Sequence, residues 1–286
     1  MPRSMRLDAH QHFWRYDPAQ HVWMTDAMEA LRRDYLPEDL APLLQATGIE
    51  GTIAVQARQS VEETEWLLAL ADQNAFIHGV VGWVDLRSPD LGAQLERRRA
   101  NPKLVGVRHV VHDEPDEDFM LRPEFRRGIA CLGPAGLTYD LLLRPPHLKA
   151  AIRLVDEFNN QPFVLDHIAK PGFGDVSRSL WKQDLHRLAE RPNVHCKLSG
   201  LVTEADWSAW RPDEFRPALD VVLEAFGVDR LMIGSDWPVC TLAADYATTM
   251  GVVTDFVRDL APSERDGILG GNCARFYGVA LTEEGA

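Results

Sequence analysis

Two histidines separated by one residue, His10 and His12, are the first groups in this chain with the types and spacing to do chemistry. On an extended strand, side-chain alternation puts both imidazoles on one face about 6.5–7 Å apart along the strand, with Gln11 pointing the other way. Such a pair can grip one ion or one substrate carbonyl, although two histidines near a strand end can also be ordinary structural groups. The wider setting favours chemistry. His167 in Asp166-His167-Ile168-Ala169-Lys170-Pro171 and Asp236 in Gly234-Ser235-Asp236-Trp237-Pro238 each follow an apolar run far away in sequence. Three imidazoles and a carboxylate form an N/O donor set suited to Zn²⁺ or a similar divalent ion. Alternatively, Asp236 is a general base toward water while the histidines hold the electrophile. An Asp ahead of Pro238 also suits a helix N-cap.

The elements that must position these groups repeat in a simple way. Short apolar, β-branched runs at 7–13, 52–57, 77–86, 104–111, 137–143, 163–169, 194–200 and 231–237 predict eight strands. Stretches with helical spacing separate them. In one, Ser60 and Glu63 form a capping-box pattern ahead of Trp66, Leu67, Leu70 and Ala71; others run over 148–158, 180–189, 214–226 and 248–260. Strands alternating with crossover helices imply parallel pairing. Eight such units predict an α/β fold of the (β/α)₈ barrel type, a single domain over 1–286. No glycine-rich phosphate loop follows any of these strands. Polar residues recur late in the strands: His10 and His12, Gln56, Trp83 and Asp85, Arg108 and His109, Asp140, Asp166 and His167, Lys197, and Ser235 and Asp236. In a barrel these positions converge on the C-terminal mouth, where chemistry sits. Two longer segments, 14–37 and 112–124, are expected to be loops shaping a pocket over that mouth.

Taken in order, Asp8-Ala9-His10-Gln11-His12-Phe13-Trp14, His167-Ile168-Ala169-Lys170-Pro171 and Gly234-Ser235-Asp236-Trp237-Pro238 resemble the amidohydrolase superfamily. More narrowly the chain is similar to its lactonase branch, which holds sugar-lactone hydrolases of the L-fuconolactonase and L-rhamnonolactonase type. The resemblance spans Leu7 to about Tyr277. It implies a (β/α)₈ barrel that hydrolyses a cyclic ester, with His10, His12, His167 and Asp236 at the active-site positions. Binuclear members carry a bridging Lys on the fourth strand, where this chain offers Arg108 and His109, so a carboxylated-lysine metal pair is not expected. Some lactonases of the branch work without a metal. One divalent ion such as zinc is therefore an optional cofactor: His10, His12, His167 and Asp236 either ligate it or act on the substrate directly.

Lactone hydrolysis needs a polarised carbonyl, an activated water and a place for the oxyanion. Asp236 is expected to take the proton from water, with His10, His12 and His167 polarising the carbonyl. Arg108 and Lys197 are expected to stabilise developing negative charge or bind a substrate oxygen, unless they serve only in ion pairs. Gln56 is a further candidate substrate contact. Trp14, Trp83 and Trp237 sit at or beyond strand ends, where aromatic faces suit a sugar ring, though such rings also fill cores. A dicarboxylate lactone would call for several guanidinium groups, and the sequence places Arg108 and Arg58 near the mouth and few others. A neutral aldonolactone is the expected substrate. A dicarboxylate lactonase, a metal-dependent decarboxylase and a non-catalytic sugar-binding member of the fold are the alternatives.

Composition narrows the partners. The 286-residue chain has a formal charge of −13, which argues against nucleic acid and anionic membrane surfaces. Its four cysteines are dispersed without a CxxC pair, and neither a signal-peptide core nor a spanning run is present, so a reducing, cytoplasmic setting is expected. Monomer and homo-oligomer stay equally open.

Overall fold

The computed structural model describes residues 5–98, 101–172 and 178–280. The ends of the expected 1–286 domain, 1–4 and 281–286, lie outside the described residues. Eight strands pair in parallel in sequence order: β1 (Leu7–Gln11), β2 (Gly51–Val55), β3 (Ile77–Gly82), β4 (Leu104–His109), β5 (Thr138–Leu141), β6 (Phe163–Leu165), β7 (Val194–Leu198) and β8 (Leu231–Ile233). Helices α1 (Pro37–Thr47), α2 (Val61–Gln73), α3 (Leu91–Arg98), α4 (Pro123–Leu132), α5 (Leu148–Glu157), α6 (Arg178–Ala189), α7 (Pro212–Phe226) and α8 (Tyr246–Phe256) follow the strands in turn, and α9 (Pro262–Asp266) and α10 (Asn272–Tyr277) end the described chain. This is the (β/α)₈ barrel that the alternation implies. No helix among the described residues is long and apolar enough to cross a membrane.

The strands are buried along nearly their whole length, as expected of a parallel sheet covered on its outer face by helices and filled on its inner face by side chains. Closure is made by residues just past the strand ends. The Asp236 amide donates to the His10 carbonyl at 2.8 Å, and the His12 amide donates to the Trp237 carbonyl at 2.6 Å. The seam that closes the barrel therefore also sets His10 and His12 against Asp236.

Several strands are shorter than the apolar runs suggest. β6 ends at Leu165 because His167, Ile168, Ala169 and Lys170 all take left-handed φ, between 49° and 62°, and Asp236 does the same past β8 at 57°. Each such residue costs about 1–2 kcal/mol outside glycine, so surrounding contacts must hold the turn. Strained backbone of this kind concentrates at functional sites. The Ser60–Glu63 pattern forms only by half. Ser60 Oγ accepts from the Glu63 amide at 3.2 Å, but the buried Glu63 carboxylate turns to the Ala57 and Arg58 amides at 3.0 and 2.7 Å and fixes the β2–α2 loop. The helix expected over 248–260 instead begins at Tyr246, capped by Asp245 Oδ1 accepting from the Thr248 amide, and ends at Phe256.

Candidate active site

His10 and His12 both turn into the barrel, their Nε2 atoms 3.2 Å apart, although the β1–β2 register shifts between Asp8 and Gln11. Asp8 is the clamp beneath them: Oδ1 accepts from the His10 and Ser235 amides at 3.0 and 2.9 Å, and Oδ2 accepts from the Ser235 and Tyr246 hydroxyls at 2.6 and 3.0 Å. These bonds tie β1 to the segment after β8.

Above this clamp the three imidazoles converge on one oxygen. Asp236 Oδ1 lies 3.2 Å from His12 Nε2, 3.7 Å from His10 Nε2 and 3.8 Å from His167 Nε2. His12 Nδ1 sits 2.8 Å from the Val55 carbonyl, which only accepts, so that nitrogen carries the proton and His12 Nε2 presents its lone pair to Asp236. His167 is held from below by Ser199 Oγ at 2.9 Å, and Gly200 passes so close that a Cβ there would lie 2.5 Å from His167 Nδ1. Burial pushes the His10 and His167 imidazoles well below their usual range, so both are neutral. Burial alone would raise the Asp236 carboxyl, but the neighbouring His167 and His12 rings and the Lys170 charge outweigh it and hold it at about 2.

Under this cluster lies a closed charge network. Lys197 Nζ meets Asp140 Oδ2 at 2.5 Å, Asp166 Oδ1 at 3.0 Å and His10 Nδ1 at 3.2 Å. Arg108 donates to Asp166 Oδ2 at 3.0 Å and to Gln56 Oε1 at 2.9 Å, and its Nη1 comes within 3.2 Å of His10 Nε2. The Tyr277 hydroxyl closes the far side by donating to Asp140 Oδ2 at 2.9 Å. Two cations thus balance two carboxylates, all of them buried.

The cluster forms the floor of a cavity of about 600 Å³, within the range of a small-molecule site. His12, His167, Asp236 and Arg108 line it; His10 lies one layer beneath. Both long segments reach the cavity: Trp14, Trp23 and Met28 from 14–37, and His112 and Asp113 from 112–124. The first is pinned across its base by Trp14 pairing with Tyr35.

The remaining sequence candidates separate. Trp14 lines the cavity with its indole N–H bonded to the Arg33 carbonyl at 2.9 Å. Trp237 does not line it; its ring packs against Phe13 and Tyr35, with centroids 6.1 and 5.3 Å away. Trp83 also lies off the cavity wall and donates to His109 Nδ1 at 3.3 Å. Gln56 and Lys197 are sealed in the network below the floor. The aromatic rings that do reach the cavity besides Trp14 are Trp23 and Trp207, both in loops. The expected scarcity of cations is corrected as well. Arg144 and Lys170 join Arg58 and Arg108 on the wall, but Lys170 pairs with Glu204 at 3.0 Å and Arg58 with Glu63 at 3.4 Å, so the mouth is not a strongly cationic receptor.

A divalent ion suits the donor set. His12 Nε2 and Asp236 Oδ1 face each other at 3.2 Å as two lone-pair donors, an arrangement that calls for a cation or a proton between them. Asp236 Oδ1 lies 3.2–3.8 Å from the three Nε2 atoms, and His10 Nε2 lies 3.2 Å from His12 Nε2, near the edge of about 3.4 Å expected for tetrahedral ligands bound at roughly 2.0–2.2 Å. His10, His12 and Asp236, and separately His10, Asp166 and His167, each bring three ligand atoms within 4.8 Å of one another. Arg108 competes for the same His10 lone pair.

The amidohydrolase family model matches residues 7–279. The chain belongs to the amidohydrolase family. This amidohydrolase is 42% identical over 287 aligned residues to an L-fucono-1,5-lactonase of Burkholderia multivorans, covering 96% of this chain and 97% of that one. It is 37% identical to an L-fucono-1,5-lactonase of Burkholderia ambifaria, covering 96% of each. A crystal structure of an amidohydrolase from Burkholderia multivorans with bound zinc superimposes with a TM-score of 0.94 at 41% identity, over 97% of this chain and 100% of that chain.

Proposed function

We propose that this amidohydrolase opens the ring of a sugar-acid lactone, an aldonolactone of the L-fucono-lactone type or a related galactono- or rhamnono-lactone, to the open-chain aldonic acid. The observation that carries the reading is the convergence of three imidazoles on one ionised carboxylate at the floor of a sugar-sized cavity. Full-length similarity to two L-fucono-1,5-lactonases supports the substrate class.

Asp236 stays ionised at all physiological pH and is the acceptor for the proton of the attacking water. His12 and His167 reach the cavity and orient the ester carbonyl, while His10, sealed beneath, holds their arrangement through its Nε2. Arg108 supplies a fixed positive charge beside the developing oxyanion. A divalent ion such as zinc, held by His10, His12, His167 and Asp236, would add Lewis-acid polarisation of the carbonyl when bound. Pairing of Lys170 and Arg58 with carboxylates favours a neutral lactone over a dicarboxylate.

The test is a panel of five- and six-membered aldonolactones with acid release followed by a pH indicator, with and without chelator and with metal content measured. Opening of at least one lactone well above its uncatalysed rate is expected. If none opens faster than in buffer, the lactonase reading is wrong; if chelation removes the metal and the rate is unchanged, the metal is not needed.

A further inference from the structure

The cavity is two-sided. Loops after β4, β5 and β6 bring His112, Arg144 and Lys170 to one wall, and loops after β8 and β1 bring Val239, Leu242 and Trp23 to the other. In a closed barrel of this strand order the two sets face each other across the mouth. A ring seated between them has one edge against the wall that carries the charged groups, beside Val110 and Leu142, and the other against a wall that is apolar apart from Gln20.

Within the polar wall the groups are not equivalent. Lys170 is tied to Glu204. His112 is neutral, because burial and then the Lys170 and Arg144 charges push it down to about 3, and its Nε2 faces Asp113 Oδ1 at 3.3 Å. Arg144 is exposed to the cavity, and among the described residues no carboxylate or carbonyl pairs with its guanidinium. A guanidinium offers five N–H donors and no acceptor, so what it seeks across the cavity is oxygen.

We propose that Arg144 is a specificity-determining residue that donates hydrogen bonds to the ring or exocyclic hydroxyls on one edge of the lactone, the edge turned away from Trp23, Val239 and Leu242. This rests on the lactonase reading and deepens it. Together the two walls fix the orientation in which the ester carbonyl reaches the His12–His167–Asp236 floor. An aldonolactone that lacks the hydroxyl read by Arg144 loses that bond and the orientation it supplies.

The experiment is a cycle between enzyme and substrate. Arg144→Met keeps an unbranched stem and removes the donors, at a position whose exposure and lack of a described partner leave the fold undisturbed; thermal unfolding checks that. Steady-state constants are measured for wild type and variant with one aldonolactone and with its congeners lacking one hydroxyl at a time. Arg144→Met is expected to lower kcat/KM for the parent lactone on the order of 10- to 100-fold, mainly through KM, as the loss of a hydrogen bond to a charged group should. For one deoxy congener the substitution should make little difference. An equal loss on the parent and every congener, or no loss at all, overturns the assignment to Arg144 while an active wild type leaves the lactonase reading standing. A wild type that opens none of these lactones overturns both.

Discussion

Replacing Lys197 with Met tests the charge network that supports the site. The substitution keeps volume but removes the one cation that touches Asp140, Asp166 and His10 together, at 2.5, 3.0 and 3.2 Å. Two buried cations now face two buried carboxylates; the variant leaves one carboxylate without a counter-charge. Removing one partner of a buried pair typically costs about 3–5 kcal/mol. With an unfolding entropy of about 2.1 cal/mol/K per residue, a chain of 286 residues loses about 0.6 kcal/mol per degree, so Tm should fall by roughly 5–8 °C. Burial already lifts the Asp140 carboxyl to about 6 despite Lys197 beside it, which singles it out as the group that takes up a proton when the cation is gone. Adding Asp140→Asn should therefore return part of the lost stability. Thermal unfolding followed by circular dichroism reads both steps. A Tm for Lys197→Met within about 1 °C of wild type, or a double variant that melts below the single by the full cost of Asp140→Asn in wild type, would refute the charge-balance reasoning.

Two further outcomes follow from local geometry. Gly200→Ala places a methyl group 2.5 Å from His167 Nδ1 at a φ of +64°, so His167 must shift; kcat on an aldonolactone should drop on the order of 100-fold, and an unchanged kcat would show that His167 is not held by this contact. Burial, with help from Arg230 and Arg275, lowers the His195 imidazole to about 4. The unfolded chain binds that proton near 6.5, so the stability tied to neutral His195 is present above 6.5 and lost as pH falls toward 4, by up to about 3 kcal/mol at 1.36 kcal/mol per pKa unit. Urea unfolding of wild type and His195→Gln across that window should converge or cross as pH falls, and parallel curves would contradict it.

How much of the site could be read from sequence depended on whether the cue was local. The parity of His10 and His12 on one strand is a local rule, and the two rings do meet, at 3.2 Å between their Nε2 atoms, even though the β1–β2 register shifts between Asp8 and Gln11. Asp8 shares that parity, but its role as a clamp exists only once β1 meets Ser235 and Tyr246, more than two hundred residues away. The ends of β6 and β8 were overrun because apolar periodicity continues through residues that tertiary contacts force into left-handed backbone. Trp83 and Trp237 carried the same signal as Trp14, since an aromatic ring near a strand end can face the cavity or the helix layer, and one residue of parity decides which. Lys197 looked like a substrate contact because its strand points at the mouth; its height within the barrel, below His10, is set by the stagger of neighbouring strands. Arg144, Lys170, Trp23 and Trp207 lie in loops, whose paths periodicity does not specify.

Asp236, held ionised among His10, His12 and His167, is the proposed base that activates water for lactone opening. The most direct measurement is kcat for Asp236→Asn against wild type on the best aldonolactone of the panel, with Tm measured to show that the fold persists. A loss on the order of 10²–10⁴-fold is expected, with binding of the lactone retained. A folded Asp236→Asn variant that turns over at the wild-type rate would contradict it.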